Sequence, residues 1–157
     1  MWVGMLLFLQ VLGAVLFLGN IVTAAFWKVR AHYGKQDLMT IHLTVKNIML
    51  ADYVFTVPGI LLLLIPGHMM AFQLGYSLGE WNWVTASLVL FSLSGVLWLA
   101  ILLPLQRRMI RYSEESLRLG EQTAAYRQVS RKWDIYGTIG TILPLISLIL
   151  MIWKPGM

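Results

Sequence analysis

Four long apolar runs, separated by short polar stretches, constrain this chain more than any motif in it. A bilayer core about 30 Å thick is crossed by roughly 20 apolar residues at 1.5 Å rise each. Residues 2–27 satisfy that length, as do about 50–71, 82–103 and 135–153. Hydrocarbon offers no partner to a backbone N–H or C=O, so runs of this length are helices that satisfy their own backbone. The sequence therefore predicts an all-α fold: a four-helix transmembrane bundle, a single domain over residues 1–157. The first run is read as a retained span rather than a signal peptide. Trp2 to Trp27 has no charged side chain and no basic start, and is far longer than the roughly 7–15-residue apolar core of a leader.

Composition agrees. Of the 157 residues 59% are hydrophobic and only 12% charged, and the mean hydropathy is +0.73, outside the usual soluble range. A net charge of +5 would suit a nucleic-acid partner, but the basic residues lie between the apolar runs, as membrane topology demands. Nucleic acid is set aside. The absence of cysteine removes disulfides, thiolate metal sites, iron–sulfur clusters and cysteine nucleophiles.

Charge distribution predicts the threading. Lys28, Arg30, Lys35 and Lys46 follow the first run, and Arg107, Arg108, Arg111, Arg118, Arg127, Arg131 and Lys132 lie between the third and fourth. Eleven of the twelve basic residues thus belong on the cytoplasmic side of a bacterial inner membrane, with both termini on the other side. Trp27, Trp81, Trp83, Trp133 and Trp153 fall at span ends, as an aromatic belt does. Residues 38–49, and 104–134 with Arg111–Glu115 and Glu114–Arg118 one turn apart, predict helical cytoplasmic extensions. Pro58, Pro66 and Pro144 predict kinks inside the spans.

Helical spacing collects small and polar residues into stripes. Gln10, Gly13, Phe17, Asn20, Ala24 and Trp27 share one in the first span; His42, Lys46, Met49, Tyr53 and Thr56 share one in the second. Ser87, Phe91, Ser94 and Trp98 form the third, and Trp133, Gly137, Gly140, Pro144, Ser147 and Met151 the fourth. Such stripes are packing seams, because small residues let helices approach and polar ones bond across.

Asp52 stands out, since a carboxylate in a span seeks a partner. At the inner end of the second span it is expected to meet Arg107, Arg108 and Arg131, forming with Gln10 and Asn20 a buried polar and ionic cluster that fixes the helices together. The functional counterpart is a proton or cation acceptor in a small cavity. His42 and Lys46, one turn apart, are the candidates for meeting a haem edge or an anionic lipid head group. His68, Met69 and Met70 have ligand chemistry suited to Cu(I), but consecutive residues on a helix point to different faces. No hydrolase motif or phosphate loop is present, and no catalytic residue is assigned.

The stretches "VLGAVLFLGNIVTAAFW", "ADYVFTVPGILLLL", "SGVLWLAILLPLQRR" and "KWDIYGTIGTILPLISLILMIWKP" resemble the bacterial family of predicted integral membrane proteins known as domain of unknown function 2269, over about residues 5 to 155. That resemblance implies a four-helix inner-membrane protein and brings no activity. A fainter resemblance is to HemJ-type protoporphyrinogen oxidases and CopD-like membrane proteins, through a glycine-rich first span and the ending Lys154–Pro155. It implies haem as cofactor, yet Gln10 stands where that family has its first-span histidine, and residues 84–103 lack the expected lysine and histidine. His42 is then the one substitute axial ligand. Three function classes follow. The preferred one is a non-catalytic scaffold or accessory subunit of a membrane complex, in contact with lipid and with a membrane-protein partner or a second copy. The others are a porphyrin-binding redox protein, and a small transporter or channel subunit lined by Gln10, Asn20 and Asp52.

Overall fold

A computed structural model describes residues 2–34, 36–76 and 79–154; Lys35 and Pro155, named above, lie outside them. The described residues are helical with short connections. Helix α1 spans Trp2–Tyr33. Helix α2, Leu38–Ala51, runs through a π-helical turn at Asp52–Thr56 into α3, Val57–Gln73. Helix α4, Trp83–Leu97, likewise runs through a π-helical turn at Trp98–Leu102 into α5, Leu103–Leu119. Helix α6 spans Ala124–Trp153.

Four helical rods are long and apolar enough to cross a membrane: Trp2–Tyr33, Leu38–Gln73, Trp83–Leu119 and Ala124–Trp153. The two middle rods contain 36 and 37 residues. At 1.5 Å per residue each is about 55 Å long, well beyond a bilayer core of about 30 Å. Both extend past the apolar layer at the end that carries the basic residues, as the sequence predicts.

Local chemistry explains the breaks and irregularities. Asn82 caps α4 by accepting from the backbone N–H of Val84 and Thr85 at 2.9 and 3.0 Å. Gly120, with φ of 76°, ends α5 in the left-handed region, and Thr123 caps α6 through the Tyr126 N–H at 3.2 Å. The extension over 104–134 is therefore a helical hairpin rather than one rod. Each π-helical turn ends two residues before a proline, Pro58 or Pro104. Proline cannot donate to the carbonyl one turn back and its ring crowds it; the turn widens instead, so that Val57 N–H reaches Asp52 O and Leu103 N–H reaches Trp98 O. Pro66 and Pro144 are held within continuous helices.

Packing follows two rules in two zones. Within the apolar layer α1 lies closely on α3 and α4 on α6. A Cβ on Gly13 would stand 2.8 Å from Leu62 Cβ and 2.9 Å from Gly59 O, and one on Gly59 3.0 Å from Phe17. The backbones of α1 and α3 meet there because neither residue carries a side chain. Helices α4 and α6 are tied by Ser94 Oγ donating to Gly140 O at 2.7 Å and by Ser147 Oγ donating to Ser87 O at 2.9 Å. At the basic end the core is of the soluble type, with Ala31, Ile41, Val45, Leu105, Met109, Tyr126 and Val129 packed together from α1, α2, α5 and α6.

The expected stripes of α4 and α6 are found as seams, with Ser87, Phe91, Ser94 and Trp98, and Gly140, Pro144 and Ser147, buried. Two stripes need correction. On α1, Trp27 is exposed and Lys28 is buried; on α2 the inward face is Ile41, Val45, Ile48 and Asp52, one residue round from the expected His42, Lys46, Met49 and Tyr53, so Lys46 and Tyr53 face outward, while Thr56 is buried as expected.

Gly13→Ala forces the α1–α3 crossing apart and is expected to lower stability by about 1–3 kcal/mol, the usual cost of overpacking. Gly19→Ala, with nothing within 4 Å of its Cβ position, is expected to be neutral or mildly stabilising. Unfolding of the two variants in mild detergent, followed by far-ultraviolet circular dichroism, compares them directly.

Candidate functional site: a polar cavity between α1 and α6

The two helix pairs converge at the basic end and at Phe17 and Phe91, whose rings meet edge to face at 5.4 Å. Between these points α1 and α6 leave a half-enclosed cavity of about 590 Å³. Its exposed edge is largely apolar, with Val22, Ala25 and Val29 of α1 and Ile142 of α6, beside Tyr33, Asp134 and Thr138. Its floor is polar. Both π-helical turns contribute to it: Asp52 and Thr56 from one, Trp98 and Leu102 from the other, with Gln106 a turn further on.

Asp52 is the centre of this floor and is buried. Its Oδ1 accepts from Asn20 Nδ2 at 2.7 Å and from Thr56 Oγ1 at 3.0 Å, and its Oδ2 accepts from Gln106 Nε2 at 2.5 Å. The Asn20 amide also donates to Thr56 Oγ1 at 2.9 Å. The Trp98 indole N–H lies beside the same carboxylate without reaching hydrogen-bonding geometry. Gln106 is almost fully buried, and its Oε1 has no partner among the described residues.

A second polar group closes the cavity toward the basic end. Lys28 is buried, pairs with Asp134, donates to Ser130 O at 3.2 Å, and lies 4.6 Å from the centre of the Trp133 ring. His32 Nδ1 stands 2.8 Å from Lys28 O and its Nε2 2.6 Å from the Tyr126 hydroxyl. A neutral imidazole satisfies both contacts, donating from Nδ1 to the carbonyl and accepting at Nε2 from the phenol. The His32 and Tyr126 rings are stacked, 5.7 Å apart.

The cluster expected from sequence is thus assembled in part and differs in its partners. Asn20 and Asp52 come together, but Arg107, Arg108 and Arg131 are exposed and none reaches the carboxylate. The reason is register: Gln106, not its neighbours, lies on the inward seam of α5 with Leu102, Leu105 and Met109, and a 100° turn per residue aims Arg107 and Arg108 outward. Desolvating a guanidinium would also cost several kcal/mol, which hydration outside avoids. Arg107 reaches only the exposed Tyr53 hydroxyl, at 3.4 Å. Gln10 lies about 15 Å from Asn20 along α1 by helical rise, against Gly67 on α3, and is no part of the floor. Sequence reasoning missed Lys28, Gln106 and Asp134. Extending the α1 stripe by eighteen residues from Gln10, five full turns, reaches Lys28 rather than Trp27.

The two residues expected to meet a haem lie away from the cavity. His42 bonds through Nδ1 to Ser113 Oγ at 2.8 Å on α5, Lys46 is exposed, and neither lines the cavity. The imidazole that does line it, His32, has both nitrogens committed. His68 is exposed and bonds to Leu64 O at 2.8 Å. Among the described residues no group of three or more His, Asp or Glu side chains has the placement of a metal site.

The family model described as predicted integral membrane protein (DUF2269) matches residues 4–155. The chain belongs to this family. No curated protein and no solved structure matches it. As a DUF2269 member with four candidate spans it is an integral membrane protein.

The hydrogen bonds to Asp52 set its stability contribution. Asn20→Leu removes one amide donor from a buried carboxylate, and bonds to charged groups contribute about 1.5–3 kcal/mol each. A loss of that size is expected in unfolding experiments in micelles, with a smaller loss in Asn20→Leu combined with Asp52→Leu than the two single changes sum to.

Proposed function

We propose that this protein is a membrane-embedded binding protein for a lipid-soluble, amphipathic small molecule, which reaches the polar floor from the bilayer through the gap between α1 and α6. One observation carries this reading: a cavity of about 590 Å³ with a largely apolar edge between two candidate spans and a floor of paired polar groups. That volume and that combination of apolar wall with few placed polar groups are usual for small-molecule sites. A buried ionisable group in a membrane span is itself a marker of a binding or transfer site. A small transporter is the function class that uses both features, and Asn20 and Asp52 are its contact residues. The scaffold reading drew on the small and polar stripes as surfaces for a further helix, but Gly13, Gly59, Ser94 and Ser147 are occupied within the chain.

The same reading places the chain in a bacterial inner membrane with its basic end in the cytoplasm, supported by the grouping of eleven of the twelve basic residues at one end. Because the chain has no cysteine, single substitutions report sidedness. In intact cells a membrane-impermeant maleimide is expected to label Glu80→Cys and to label Arg118→Cys only after permeabilisation. The reverse pattern overturns the orientation.

Binding is tested by tryptophan fluorescence in nanodiscs with a dibrominated fatty alcohol as quencher. A saturable component is expected from Trp98 and Trp133, which line the cavity. Gly137→Leu, which fills space beside Leu102 and Trp133, is expected to reduce it several-fold. Quenching that rises linearly and equally in both proteins removes the basis for a site.

A further inference from the structure

The head group such a site accepts follows from its charge balance, and this step rests on the binding reading above. Around the cavity the ionisable groups are Lys28, His32 and Tyr33 on α1, Asp52 on the first π-helical turn, and Tyr126 and Asp134 on α6. From the α2 and α5 sides only exposed cations are near in sequence, Lys46, Arg107 and Arg108, and all three face outward. Lys28 and Asp134 cancel. His32 is satisfied as a neutral ring between Lys28 O and the Tyr126 hydroxyl. Asp52 alone has no counter-charge: its three partners, Asn20, Thr56 and Gln106, are neutral donors, and no cation is within ion-pair distance among the described residues.

Neutral donors orient and partly solvate a carboxylate, but they leave its full charge in a low-dielectric region, where a cation is attracted far more strongly than in water. Oδ2 accepts one bond and keeps a second acceptor position. Aromatic rings, Phe17, Trp98 and Trp133, line the same cavity. Carboxylate and aromatic walls together are the chemistry that holds an organic ammonium or other onium ion, through charge and cation–π attraction.

We propose that the cavity takes a lipophilic organic cation, an amine or onium with an apolar body, which sits against Asp52 and exchanges there with a proton. The exchange is balanced: as the cation arrives, the carboxyl proton passes to water, and as it leaves, a proton returns. In either state the floor is electrically neutral. The unpartnered Gln106 Oε1 suits this alternation, since rotation of the amide presents an acceptor to a protonated Asp52 in place of the donor it offers the carboxylate.

The experiment uses the full chain in nanodiscs and the probe tetraphenylphosphonium, with tetraphenylborate as an anion of the same shape and the dibrominated alcohol as neutral probe. Tetraphenylphosphonium is expected to bind saturably and displace the alcohol, and tetraphenylborate not to do so. Asp52→Asn keeps the shape, and Gln106 can turn to match it; this variant is expected to hold the neutral probe, which reports an intact cavity, while binding the cation at least tenfold more weakly. Cation affinity in the unmodified protein is expected to fall as pH is lowered and to be flat with pH in Asp52→Asn; a slope that persists there assigns the titration to His32 and removes the proton exchange at Asp52. If the neutral probe binds while cation and anion compete equally, or Asp52→Asn leaves the cation affinity unchanged, the head-group assignment is wrong and the cavity stands. If the neutral probe also fails to bind, both readings fall.

Discussion

Between helices surrounded by lipid there is no hydrophobic force to drive association, because acyl chains are as apolar as leucine. What holds such helices together is close backbone approach and hydrogen bonds that lipid cannot replace. The whole architecture follows from where this chain can supply those two things. Gly13 against Gly59 joins α1 to α3, and Ser94 against Gly140, with Ser87 against Ser147, joins α4 to α6. Among the described residues, helices α1 and α6 are linked only toward the basic end, through Lys28 with Asp134 and Ser130 O and through His32 with Tyr126, and the gap beside those links is left open. The cavity is thus the remainder of two good interfaces rather than a flaw in one.

The π-helical turns connect that architecture to chemistry. Each answers a proline that would otherwise clash with the preceding turn, and each contributes polar or aromatic side chains to the floor. Asp52 and Trp98 come from different rods but end beside one another. A carboxylate at this place would be costly without partners, and the three donors that reach it come from α1, from its own turn and from α5. The two halves of the molecule are therefore bonded through the one acidic group that lipid would exclude.

Much of this was legible from residue order, and the failures have physical causes. Span positions rest on hydropathy summed over twenty residues, so single errors average out. The seams of α4 and α6 follow a simple period, and Ser87, Ser94, Gly140 and Ser147 were found with it. On α1 the stripe from Gln10 reaches Trp27 at i+17, but 3.6 residues per turn closes five turns at i+18, on Lys28. Lys28 is buried there because it has Asp134, Ser130 O and the Trp133 ring to replace water. On α2 the expected face was one residue off, so Tyr53 was placed where Asp52 belongs. Arg107 and Arg108 attracted notice by charge, while the residue that bonds to Asp52 is the neutral Gln106 between Leu105 and Arg107. Pairing of opposite charges is the stronger interaction in isolation, but it requires desolvating both ions, and an amide avoids half of that cost.

The Lys28–Asp134 pair illustrates how the same balance shapes the gap. Lys28 is buried, but the Asp134 side chain is 57% exposed. A pair open to solvent on one side contributes little to holding helices together. Its consequence for the cavity is that Lys28 brings no net positive charge to the lining. The joining of α1 to α6 falls instead to the buried Tyr126, stacked on His32 and packed with Ala31 and Val129 in the apolar core of the basic end. On the proposed reading, the joined basic end, the gap between α1 and α6 and a carboxylate held by neutral donors are the features by which a charged amphiphile from the bilayer replaces a proton at Asp52.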